Sequence, residues 1–210
     1  MDDPRSMLDL HCRTLLHSVE IVSAIRDDQW DLPTPCTQWT VRQLLAHMIR
    51  ENRGFAAAAG GETADRSPWT SPIGTDPRVD YAASAEQVVA AFGAEGVLDG
   101  TFWLPLINDS MVFPATQAVS FHLLDYLVHG WDVAVSIGRP LAFPDDVVPA
   151  VREIADREVR DGPRRHRPGA TFAPALPTTA TAPVLDQLLA FLGRDPDWRP
   201  AGGTPPPGRA

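Results

Sequence analysis

The chain has 210 residues, 44% hydrophobic and 21% charged, with a formal net charge of −9. That length supports a folded core without staples, and the acidic balance argues against a nucleic-acid partner, which needs a basic footprint. All 18 basic residues are arginine, which excludes Schiff-base and P-loop lysines, and the two cysteines are too few for a disulfide framework or a four-cysteine zinc finger.

The N-terminus, Met1-Asp2-Asp3-Pro4, lacks the apolar stretch of a secretory signal. Leu8, Leu15, Val19, Val22 and Ile25 recur at helical spacing and predict a helix over 7–26. Residues 27–35 break it. Thr40 and Gln43 form a Thr-x-x-Gln capping box that opens a second helix, 40–58. Residues 61–79 are rich in Gly, Pro, Ser and Thr and read as a long loop. A third helix is expected over 82–93, then an irregular stretch with a short extended piece near 101–106. The fourth helix, 114–138, starts at Pro114, stops at Gly138 and is apolar on nearly every side, so it should be the most buried. Shorter helices are expected near 145–160 and 184–192. Period-two alternation is scarce, so the expected class is all-α. Residues 1–198 read as one domain and 199–210 as a disordered tail. No apolar run reaches the ~18–20 residues of a membrane span, and no membrane partner is expected. The expected compartment is the reducing cytoplasm.

His122, Asp125 and His129 all lie on the fourth helix. Asp125 and His129 are four residues apart and share a face. Ionisable groups on so apolar a helix are costly to bury unpaired. A divalent metal would satisfy them, and so would a buried His–Asp hydrogen bond without metal. A metal needs a further ligand from another helix, and His47, among Leu44, Leu45, Met48 and Ile49, is the best candidate. His11 and His17 read as surface or partly buried residues, and Cys12 as a helix core residue. Cys36 reads either as a thiol activated by the following helix N-terminus or as an anchor of the Trp30–Trp39 loop. Arg164-Arg165-His166-Arg167 reads as solvated surface.

The segment Pro33-Thr34-Pro35-Cys36-Thr37-Gln38-Trp39-Thr40-Val41-Arg42-Gln43-Leu44-Leu45-Ala46-His47 resembles the opening motif of the DinB-like superfamily. More narrowly, it resembles actinobacterial metal-binding proteins related to the N-terminal domain of mycothiol-dependent maleylpyruvate isomerase. Residues 121–134, around His122, Asp125 and His129, resemble that family's second motif. Leu192-Gly193-Arg194-Asp195-Pro196-Asp197-Trp198 resembles its C-terminal signature. The resemblance implies a DinB-like four-helix bundle, here with additional short C-terminal helices. It also implies a divalent metal held by His47, Asp125 and His129. His122 is expected to line the cavity or to hydrogen-bond a ligand. The isomerase carries glutamate at the place of Asp125 and has a separate C-terminal domain that is not expected in this chain, and both departures weaken the transfer of its own activity.

Three protein ligands leave coordination positions open, as in catalytic sites. Zinc is the first expectation, with nickel and iron as alternatives. An open site deprotonates a coordinating thiol. The resemblance therefore points to an enzyme that uses a low-molecular-weight thiol, mycothiol, on an electrophilic small molecule, by S-transfer or isomerisation. The alternatives are a metal-binding protein without catalysis and a metal-water hydrolase. Substrate and oligomeric state are not legible.

Overall fold

The computed structural model describes residues 4–37, 39–139, 141–167 and 170–200. It is all-α apart from one small hairpin. Four long helices build a bundle: α1 (Pro4–Ser23), α2 (Val41–Ala59), α4 (Pro77–Phe92) and α6 (Ala115–Ser136). α1 packs on α6 and α4, and α2 packs on α4 and α6. The helices thus close a ring in which α1 lies diagonal to α2. A short helix, α3 (Ser67–Thr70), lies against α2, and strands β1 (Thr101–Trp103) and β2 (Val112–Pro114) pair antiparallel with α5 (Pro105–Asn108) between them. After α6, α7 (Val147–Glu158) packs on α6 and on α8 (Val184–Phe191).

The elements follow from local chemistry. The capping box is formed at α2: Thr40 Oγ1 accepts from the Gln43 N–H, and the Gln43 side chain accepts from the Thr40 N–H at 2.9 Å. α6 ends before Gly138, whose φ of +69° suits glycine. Its apolar residues are buried on nearly all sides, and Val119, Leu123, Leu127, Val128 and Val133 are fully enclosed. Burial of such side chains drives the assembly.

Several expectations need correction. The third long helix begins at Pro77 rather than near 82, because Asp76 caps it through the Arg78 N–H and Pro77 occupies the first turn. The loop read over 61–79 also contains α3. His11 is 2% exposed, inside the bundle rather than at its surface. Cys12 is half-buried rather than core. Arg165, within the basic run, is buried: its guanidinium donates to the carbonyls of Ala173 and Phe191 and stacks on the Phe191 ring. Of the expected tail, residues 201–210 lie outside the described residues. Among the described residues no helix is long and apolar enough to cross a membrane.

Candidate metal centre

α2 and α6 face each other and bring His47, Asp125 and His129 together. One ligand atom from each lies within 4.8 Å of the others. Asp125 sits between the rings, with Oδ1 3.3 Å from His129 Nε2 and Oδ2 4.0 Å from His47 Nε2. The two imidazoles are nearly perpendicular, at 85°, with centroids 5.3 Å apart. Donors on a tetrahedron with bonds of ~2.1 Å stand about 3.4 Å apart. The donor set is one a divalent cation takes, and its spacing is close to that of bound ligands, with the His47–Asp125 gap of 4.0 Å the one that would have to close.

Each imidazole offers Nε2 to Asp125, and each has a second carboxyl on its Nδ1 side. His129 Nδ1 is 2.9 Å from Asp132 Oδ2. His47 Nδ1 is 3.7 Å from Glu51 Oε1. Asp132 is fully buried, and Arg194 Nη2 stands 3.3 Å from its Oδ2 and 3.0 Å from Cys36 Sγ. Burial alone would raise the Asp132 pKa, but Arg194 and the His129 hydrogen bond outweigh it and hold the carboxyl ionised. Burial alone would likewise lower the His129 pKa; Asp125 and Asp132 together raise it well above the usual imidazole range. His47 goes the other way. Burial, then repulsion from His129 with a smaller contribution from Arg50, lowers it to about 4 despite Asp125. Burial, then the charge of Asp125, pushes Glu51 up to about 8.

Cys36, His129 and Asp132 also stand within ligand spacing of one another. The Arg194 guanidinium already supplies the positive charge between Cys36 and Asp132, so this second cluster has its cation. Cys36 Sγ donates to Asp132 Oδ2 at 3.4 Å, and the thiol ties the Trp30–Trp39 loop to α6.

His122 does not join the cluster. It lies seven residues before His129, about 10 Å along the helix axis. Its Nδ1 is 2.9 Å from His11 Nε2 on α1, and its ring stacks on Tyr126 with Phe55 and Phe92 at its edges. Sequence reasoning assigned no role to Asp132, Arg194, Glu51 or His11. Asp132 carried a usable signal: a carboxylate three residues after His129 on the same apolar helix.

A cavity of about 590 Å³ opens beside the cluster. His47 and Glu51 form part of its wall, with Trp39, Trp69, Arg42 and Arg50 among the other lining residues. Trp39 is half-buried, and its ring lies 4.7 Å from that of His47. Trp131, by contrast, is buried, at 2% exposure.

The family model for the mycothiol maleylpyruvate isomerase N-terminal domain matches residues 17–134, more than half of the chain and the stretch that carries His47, Asp125, His129 and Asp132. The chain belongs to this DinB-like family. Two relatives, described as uncharacterized proteins of Mycobacterium tuberculosis strains CDC 1551 / Oshkosh and ATCC 25618 / H37Rv, are each 33% identical over 180 residues. The alignment covers 83% of this chain and 90% of each relative. No solved structure matches the chain.

Proposed function

We propose that this family member is a cytoplasmic, metal-dependent enzyme that uses a low-molecular-weight thiol, mycothiol, for S-transfer to, or isomerisation of, an electrophilic small molecule. The observation that carries the reading is the double position of His47, whose ring belongs to the ligand-type cluster and to the wall of the cavity. His47, Asp125 and His129 would hold the divalent cation, zinc first, with nickel and iron as alternatives. When bound, such a cation acts as a Lewis acid that converts a coordinating thiol to its thiolate and lowers the pKa of bound water to ~7.

The chain's own groups prepare the site. Asp132 accepts a hydrogen bond from the His129 Nδ1–H and fixes the ring with Nε2 toward Asp125, so that a cation displacing the Nε2 proton would find that nitrogen already aimed at it. Arg194 neutralises Asp132 and keeps that carboxylate fixed. Trp39 and Trp69 give the cavity apolar walls, and Arg42 and Arg50 give it positive charge.

The test is metal content of the purified protein, followed by consumption of monochlorobimane with and without mycothiol. Wild type should carry about one divalent ion per chain and consume the electrophile only with thiol. His47→Ala, Asp125→Ala and His129→Ala should each lose both properties. Full metal occupancy in all three would remove the site assignment. Turnover of an ester or amide by the metal-loaded protein without thiol would make it a hydrolase, and complete inertness would make it a binding protein.

A further inference from the structure

We infer that Glu51 is the positioning residue for His47, doing for that imidazole what Asp132 does for His129. The inference rests on the metal-site reading given above. Glu51 follows His47 by four residues on α2, so both side chains lie on one helical face. Its Oε1 is 3.7 Å from His47 Nδ1, while His47 Nε2 faces Asp125 Oδ2 at 4.0 Å. At that distance the pair is longer than a formed hydrogen bond. Among the described residues His47 Nδ1 is the one ion-pair partner of Glu51.

Glu51 is largely buried, its side chain 12% exposed at the cavity wall, and a carboxyl so placed is costly to hold without a partner. Arg50 is adjacent in sequence but does not supply one, since neighbouring positions on a helix diverge and its Nε–H donates to the Ser71 carbonyl at 3.1 Å. Trp39 packs on His47 and restricts its ring from a further side. The result is a paired arrangement in which each histidine directs Nε2 to Asp125 and Nδ1 to a second carboxyl. Such outer partners fix ring orientation at metal sites. Either carboxyl form of Glu51 offers a lone pair at Oε1, so the role is independent of its protonation. The pair is unequal: Asp132 is hydrogen-bonded at 2.9 Å and Glu51 is not, which makes His47 the more loosely held of the two imidazoles.

The experiment measures zinc affinity by competition with a chelating dye, and the visible absorption of the cobalt-substituted protein. Wild type, Glu51→Gln, Glu51→Ala, Glu51→Met and His47→Ala are compared. Glu51→Ala and Glu51→Met should bind zinc ~10–100-fold more weakly and alter the cobalt spectrum. Glu51→Gln keeps an acceptor at the same reach and should bind within a few-fold of wild type. The metal-free Ala and Met variants should unfold at the wild-type denaturant concentration or above it, because each removes a buried polar group. Wild-type affinity in the Ala and Met variants, a failure of Gln to restore binding, or an affinity loss matched by lost metal-free stability would each overturn the inference. If His47→Ala loses metal while Glu51→Ala keeps it, only this inference falls. If wild type binds no stoichiometric metal, the metal-site reading falls and this inference with it.

Discussion

The hydrogen bond between His129 Nδ1 and Asp132 leaves one nitrogen of that ring for a ligand, and the Arg194 contact keeps the carboxylate charged in a fully buried place. Two outcomes follow from this chain of contacts. Asp132→Ala should weaken zinc binding by ~10–100-fold, measured by chelator competition, because His129 loses the partner that sets its tautomer. Arg194→Met should destabilise the fold by about 3–5 kcal/mol in denaturant titrations, the usual cost of leaving one member of a buried ion pair without its partner. At this scale the sequence was legible where a residue type was anomalous for its surroundings. His47, Asp125 and His129 stood out as polar groups on apolar helices. Arg194 did not, because it reaches Asp132 from 62 positions away in the chain. Only the packing of the segment after α8 against the Trp30–Trp39 loop creates that contact.

Helix α2 carries the cavity wall, and its interior glycine shows how an element is shaped by its neighbour. A Cβ built on Gly54 would lie 2.2–2.4 Å from ring atoms of Trp69. Trp69 comes from α3 and lines the cavity with His47. Alanine is favoured over glycine in a helix interior by up to ~1 kcal/mol. Overpacking of a buried site costs ~1–3 kcal/mol, and the obstacle here is a rigid indole only 5% exposed. The clash therefore wins. Gly54→Ala should lower the midpoint of chemical denaturation and, by displacing Trp69, change the intrinsic tryptophan emission. An unchanged or raised midpoint would show that Trp69 can retreat without loss. The sequence announces α2 through its capping box, yet α3 hides in a Gly- and Pro-rich stretch whose composition reads as loop. Four residues are too few for a periodic signal.

Across the whole molecule, the ring of α1, α4, α2 and α6 buries two histidines that no charged group among the described residues compensates. His11 on α1 and His122 on α6 share a 2.9 Å contact, with Phe55, Phe92 and Tyr126 around them. The position of His11 was readable in principle, because it continues the Leu8 and Leu15 stripe at spacings of three and four. A histidine among the many polar residues of the first helix nevertheless reads as surface or partly buried. Burial lowers the His11 pKa to about 3, and burial with the neighbouring His11 lowers His122 well below the usual imidazole range. In the unfolded chain both titrate near ~6.5. Between those limits the unfolded state binds more protons than the folded one, so stability rises with pH across the window. The contribution is complete above pH ~6.5 and is lost as pH falls toward 3. Each histidine contributes a slope of up to about 1.4 kcal/mol per pH unit. His47, lowered to about 4, adds the same sign, and Glu51, raised to about 8, adds the opposite one across this window, while His129 acts above pH ~6.5, so the informative quantity is the difference between proteins. The unfolding free energy of wild type should fall between pH 6.5 and 4.5. In His11→Leu/His122→Phe, which carries no proton-binding group at either position, the decline should be shallower. Equal slopes in the two proteins would mean that the pair is hydrated enough to take up protons in the folded state, and that the bundle interior is wetter than its packing indicates.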